Sequence, residues 1–179
     1  IELPASGKLT LNIGSYTNIQ VRAYDGGGTN LFKEANVSGS TSSEAKQNLS
    51  VYAEKGKYYI DVLSTTGDEG KFNLKYTFNS YSNNEIESNN TIESAQTIQP
   101  NIDINGLFSY RDHEDVYRIE VQQPGKLTLK ADSYVNTDIE FVDANGVKLM
   151  ERDSLKANDA TKVSRSYVHL LNPGVYYVK

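Results

Sequence analysis

Gly7-Lys8-Leu9-Thr10-Leu11-Asn12-Ile13 alternates polar and apolar residues at period two, and Gly125-Lys126-Leu127-Thr128-Leu129-Lys130-Ala131 repeats the pattern at a shift of 125 − 7 = 118 positions. A strand with one buried and one wet face reads this way, because successive side chains leave a pleated backbone on opposite sides. The match extends outward without a gap. Ile1-Glu2-Leu3-Pro4-Ala5-Ser6 lies over Ile119-Glu120-Val121-Gln122-Gln123-Pro124, Ser15-Tyr16 over Ser133-Tyr134, Asn18 over Asn136, Asp25 over Asp143, Gly28 over Gly146 and Leu31 over Leu149. It closes with Gly56-Lys57-Tyr58-Tyr59-Ile60 over Gly174-Val175-Tyr176-Tyr177-Val178. A period this long, with no insertion in loops where insertions cost little, predicts two tandem copies of one domain.

The first copy is predicted over 1–79, a polar linker over 80–84 and the second copy over 85–179. Residues equivalent to Glu85–Arg118 would precede Ile1, and residues equivalent to Val62–Asn79 would follow Lys179. Both copies therefore read as incomplete, and the chain as a piece of a longer protein. Further alternating runs are Ile19, Val21, Ala23; Tyr58, Ile60, Val62; Phe72, Leu74, Tyr76; and Tyr117, Ile119, Val121. This phase puts Tyr58, Tyr76 and Tyr117 on core-facing positions. Between the runs stand Ala5-Ser6-Gly7, Asp25-Gly26-Gly27-Gly28, Thr66-Gly67-Asp68-Glu69-Gly70, Gln123-Pro124-Gly125, Asp143-Ala144-Asn145-Gly146 and Asn172-Pro173-Gly174, all turn-forming. Short strands punctuated by Gly and Pro predict an all-β chain: tandem antiparallel β-sandwich domains of jelly-roll or related Greek-key type. Ser42–Gln47 and Thr91–Ala95 each allow one helical turn without sustaining an apolar stripe.

The 179 residues carry a formal net charge of −5 with Lys and Arg scattered, so no basic stripe marks nucleic acid as a partner. No apolar run approaches the roughly 20 residues of a membrane span. Cysteine is absent, which excludes disulfides and thiolate metal sites. The two histidines, His113 in an acidic turn and His169 in an apolar strand, have no nucleophile or metal-ligand partner at a diagnostic spacing. The expected protein is not an enzyme. Asp25-Gly26-Gly27-Gly28 and Asp143-Ala144-Asn145-Gly146 read as β-turns, with Gly28 and Gly146 at positive φ.

The second half carries an ordered series: Glu85-x-Glu87-x-Asn89-Asn90, Ala95, Ile104-Asn105-Gly106, Asp112-x-x-Asp115-x-Tyr117-x-Ile119-x-Val121, Pro124-Gly125-x-Leu127-x-Leu129 and Leu171-x-Pro173-Gly174-x-Tyr176-Tyr177-Val178. This series resembles the bacterial pre-peptidase C-terminal domain family, which is related to the collagen-binding modules of bacterial collagenases. The resemblance implies a noncatalytic β-sandwich attached to the catalytic domain of a secreted or cell-surface protein. It also implies calcium as a bound ion, with Glu85, Glu87, Asn89, Asn90, Asp112 and Asp115 as its ligands. The donor chemistry suits that ion, which takes about six to eight hard oxygen ligands. The same residues also read as a solvated linker and an exposed acidic turn.

Collagen-binding relatives carry exposed aromatics on the strand after the Gly-x-Tyr-Tyr turn, and here Ile60-Asp61-Val62-Leu63-Ser64-Thr65 lacks the additional tyrosines. Collagen is thereby one ligand among several. Two functions remain in view: an accessory module that binds an extracellular matrix protein or polysaccharide, and a structural spacer of a surface protein with no ligand of its own. The family name adds a third, a pro-region beside a peptidase.

Overall fold

The alternating runs bury alternate residues where a second sheet faces them. The computed structural model describes residues 1–179 and forms fifteen strands and no helix, so nothing in it is a helix long and apolar enough to cross a membrane. The chain divides into two units, the first comprising Ile1–Asn84 and Asn105–His113, the second Glu85–Ile104 and Glu114–Lys179.

The first unit contains β1 (Glu2–Leu3), β2 (Gly7–Ser15), β3 (Asn18–Tyr24), β4 (Leu31–Ser38), β5 (Ala45–Ala53), β6 (Gly56–Lys57), β7 (Tyr59–Ser64) and β8 (Phe72–Ser80). They make antiparallel sheets ordered β5-β2-β8 and β4-β3-β7, with β1 paired to β6. Leu9, Leu11 and Ile13 of β2 meet Ile19 and Val21 of β3, Ala35 and Val37 of β4, and Leu49 of β5 in one core that also takes in Leu3 and Tyr58. Each such aliphatic side chain contributes about 1.5–3 kcal/mol on full burial. Gly7 is required where β2 meets β8, because a Cβ there would stand 2.2 Å from the Asn79 carbonyl oxygen.

The second unit contains β9 (Gln96–Thr97), β10 (Tyr117–Val121), β11 (Gly125–Ser133), β12 (Thr137–Asp143), β13 (Lys148–Leu155), β14 (Val163–Leu171) and β15 (Gly174–Val178). One sheet runs β13-β12-β15-β10-β9 and the other pairs β11 with β14. Only β9 and β10 run parallel. Ile119, Phe141, Leu171 and Tyr176 form the buried centre.

The offset that aligns the sequences also relates the pairings. Gly7 lies opposite Ala53 and Ser15 opposite Ala45; Gly125 lies opposite Leu171 and Ser133 opposite Val163. After β2 the Ser15 hydroxyl donates to the Thr17 carbonyl at 2.7 Å and accepts from its amide at 3.2 Å, and Ser133 makes the same two bonds with Val135 at 2.8 and 3.2 Å. Gly28 and Gly146 have φ of 69° and 79°, as their turn positions require.

Three expectations are corrected. Tyr76 does not face a core: Phe72, Leu74 and Tyr76 are 52%, 38% and 52% exposed. They lie opposite Ser15, Ile13 and Leu11, on the side of the sheet that buries Leu11 and Ile13, but β8 is an edge strand. An edge strand keeps its inner face wet where no strand of the facing sheet covers it. Ser42–Gln47 makes no helical turn, since Ala45 already begins β5. Thr91–Ala95 is a hydrogen-bonded turn rather than a helix, closed by the Ala95 amide on the Ile92 carbonyl at 3.4 Å.

Candidate metal centre

Glu85, Glu87 and Asp115 of the second unit each offer a carboxylate oxygen, and these oxygens all lie within 4.8 Å of one another. The residues arrive from irregular backbone held by specific bonds. The Ile86 amide donates to Gln96 Oε1 at 2.9 Å, and the Val116 amide donates to the Asn89 carbonyl at 2.7 Å. Asp112 closes a tight turn in which the Ser109 and Asp112 backbones exchange bonds of 3.0 and 3.3 Å. Asp115 stands two residues before the first residue of β10. Asp112 is buried, Glu85 and Asp115 half-buried and Glu87 exposed.

Asn89 is fully buried, donates through Nδ2 to Glu85 Oε1 at 3.1 Å and leaves its Oδ1 without a hydrogen-bond partner. A buried amide oxygen without a partner carries a desolvation cost of about 1–3 kcal/mol, which a coordinated cation offsets. Asn90 follows it, half-buried. The Tyr117 hydroxyl donates to Glu85. Burial, then that hydrogen bond, then the negative charge of Asp115, Glu85 and Glu87 push the phenol far above its ordinary pKa, so it stays a donor and orients the carboxylate. Sequence alone placed Tyr117 on a core-facing strand position. Its place two residues after Asp115 was the only available sign of this role.

Three carboxylates at this spacing repel by about 3–4 kcal/mol per pair at an effective dielectric constant of about 20. With no thiolate and no imidazole among the donors, the set suits a hard divalent cation such as calcium and not zinc. Neither histidine belongs to the cluster; His169 packs its ring 4.9 Å from that of Phe141.

The Asp25 loop, read from sequence as a plain turn, does more in the first unit. Asp25 is 2% exposed, accepts the Gly27 amide at 3.1 Å and the Asn30 side-chain amide at 2.6 Å, and pairs with Arg111. The Asn30 side-chain bond first, then the Arg111 charge and the backbone bonds, hold its carboxyl below the usual value against the opposing effect of burial. A depressed folded pKa stabilises the native state above the unfolded value, about 4, and that contribution fades as pH falls through the folded value. Urea midpoints measured from pH 6 to pH 2 should fall in the acid range, and Asp25→Asn should flatten that part of the profile. An unchanged profile in the variant would show that Asp25 does not contribute.

On the outer face of β4-β3-β7, Leu31 lies opposite Tyr24 and Tyr24 opposite Tyr59. Leu31 is 45% and Tyr59 54% exposed, making an apolar row across three strands.

No family model matches the chain. Among known proteins it is similar to Collagenase ColA of Clostridium perfringens (strain 13 / Type A), 26% identical over 134 residues. That stretch is 70% of this chain and 12% of the collagenase, so the chain spans a small part of that relative's length. The likeness is thus to part of a collagenase, carried here on an all-β fold.

Proposed function

We propose that this chain is a noncatalytic, calcium-stabilised accessory module of a secreted or cell-surface bacterial protein, built from two copies of one sandwich domain and binding an extracellular protein or polysaccharide. The observation that carries the reading is the acidic cluster in its setting, with the buried Asn89 oxygen beside Glu85. Glu85, Glu87 and Asp115 would hold the ion, with Asp112 as the further ligand that the family resemblance implies and amide oxygens of Asn89 and Asn90 available to complete its shell. Calcium would supply the positive charge that offsets the carboxylate repulsion. The pairings related by one offset support the reading of two copies. Likeness to part of a collagenase supports an extracellular setting and makes collagen the first ligand to try.

Exposed aromatics on a flat sheet face supply most of the contact energy in such binding, and the Leu31-Tyr24-Tyr59 row is the face of that kind. In millimolar calcium the chain should co-sediment with insoluble collagen or with an insoluble polysaccharide. Tyr24→Ala with Tyr59→Ala should weaken that retention by about thirtyfold, the effect of losing a hot spot worth about 2 kcal/mol. Retention by none of the materials would leave the spacer reading. That reading has its own support on the second unit, where Glu140 pairs with Lys148 at 2.9 Å and Arg152 at 3.1 Å.

A further inference from the structure

In the first unit, the segment Ser109-Tyr110-Arg111 lies on a surface formed by Asp25, Phe32, Glu54 and Tyr58. The Tyr110 ring stacks on Phe32 with centroids 4.1 Å apart and meets Tyr58 edge-on at 6.3 Å. Arg111 sits over the Tyr110 ring at 5.4 Å and pairs with Asp25, and the Ser109 hydroxyl donates to Glu54 at 2.7 Å. This is peptide recognition in cis: an aromatic ring in an apolar seat and a guanidinium on a carboxylate.

The second unit carries a related seat, in which Asp143 Oδ1 accepts loop amides but pairs with no guanidinium, and Phe141 packs against the Tyr176 ring where the first unit has Ala23. Asp143 Oδ1 accepts the Asn145 amide at 2.8 Å, as Asp25 Oδ1 accepts Gly27, and the Gly146 amide reaches the Asp143 carbonyl at 3.0 Å, as Gly28 reaches Asp25 at 2.8 Å. The Tyr176 hydroxyl donates to the Asn172 carbonyl at 2.8 Å, as Tyr58 donates to Glu54 at 2.9 Å. Met150 stands where the first unit has Phe32. Asp143, however, is half-exposed and meets no basic side chain, and Val147 beside it is 57% exposed.

We propose that the Asp143 loop, Met150 and Tyr176 form a docking site for an extended segment of a partner polypeptide bearing a Tyr-Arg pair. The half-exposed carboxylate is complementary to a guanidinium, and a Met thioether with its flexible chain accepts an aromatic ring as Phe32 does. The inference does not rest on the metal reading.

The test is titration of the whole chain with a synthetic peptide of the sequence of residues 105–113, Asn-Gly-Leu-Phe-Ser-Tyr-Arg-Asp-His, followed by amide NMR shifts. Shifts are expected at Asn145, Gly146, Val147 and Tyr176. Asp143→Asn keeps an oxygen for the loop amides but removes the charge, and should weaken binding by at least about tenfold, as should peptides carrying Tyr110→Ala or Arg111→Ala. Absence of shifts in the second unit, or binding that survives Asp143→Asn, would overturn the proposal. Shifts confined to Gly27, Gly28 and Phe32 would mean that the peptide only displaces the segment already docked in the first unit, and would also overturn it. Dimers without peptide in sedimentation that Asp143→Asn dissolves would make a second copy the occupant and overturn the assignment.

Discussion

Calcium at a concentration about a hundredfold above its dissociation constant is expected to raise the unfolding midpoint by about 10–20 °C, and Glu85→Ala with Asp112→Ala to abolish the rise. A ligand that binds only the folded chain stabilises it by mass action, about 2.7 kcal/mol at that excess, and for a domain of 60–100 residues each kcal/mol moves the midpoint by about 4–8 °C. The readout is the difference between calcium and chelator, not the absolute midpoint. The reason is Glu85 itself, which accepts bonds from Tyr117 and Asn89. Removing it leaves the buried Asn89 amide and the half-buried Tyr117 hydroxyl without that acceptor, while removing two carboxylates relieves repulsion, and these opposed changes act in chelator as well. Only the calcium-dependent part belongs to the metal. Identical melting curves for the unmodified chain in calcium and in chelator would remove the metal from the function proposed here.

Phe141→Ala should be the most damaging core substitution in the second unit. Phe141 is fully buried, its ring centroid 5.8 Å from that of Tyr176 and 4.9 Å from that of His169, in a cluster with only three other buried members. Truncating a core Phe costs about 3–5 kcal/mol, a large share of the 5–15 kcal/mol that holds a typical domain together. The first unit has its own core, centred on Leu9, Leu11 and Val21. Denaturant unfolding of the variant should therefore separate into two phases, with Tyr176 resonances lost in the first and Tyr58 resonances in the second. A single cooperative transition shifted as a whole would contradict independent cores.

Most strands are legible in the sequence because what specifies them is local. Alternation at Leu9-Leu11-Ile13 fixes one inner face, and the turn positions of Gly28 and Gly146 announce their positive φ. Tyr76 misleads because period two names a face without saying whether anything covers it; coverage depends on the position of β8 at a sheet edge. The acidic residues stand out in the sequence as Glu85-x-Glu87 and Asp112-x-x-Asp115. The burial of Asn89 inside a polar run does not, since the Val116 amide that bonds its carbonyl lies outside that run. Least legible is the pairing of Arg111 with Asp25, made across 86 positions with no periodicity to mark it.

Each unit draws its residues from two separate stretches of chain. During synthesis the first unit has all its strands once Ser80 has emerged, yet the side chains that seal Phe32 and neutralise Asp25 arrive about thirty residues later, with Tyr110 and Arg111. Until then a nascent chain presents an open aromatic seat beside an unpaired carboxylate. Release of residues 1–84 alone by a protease would return the first unit to that half-finished state.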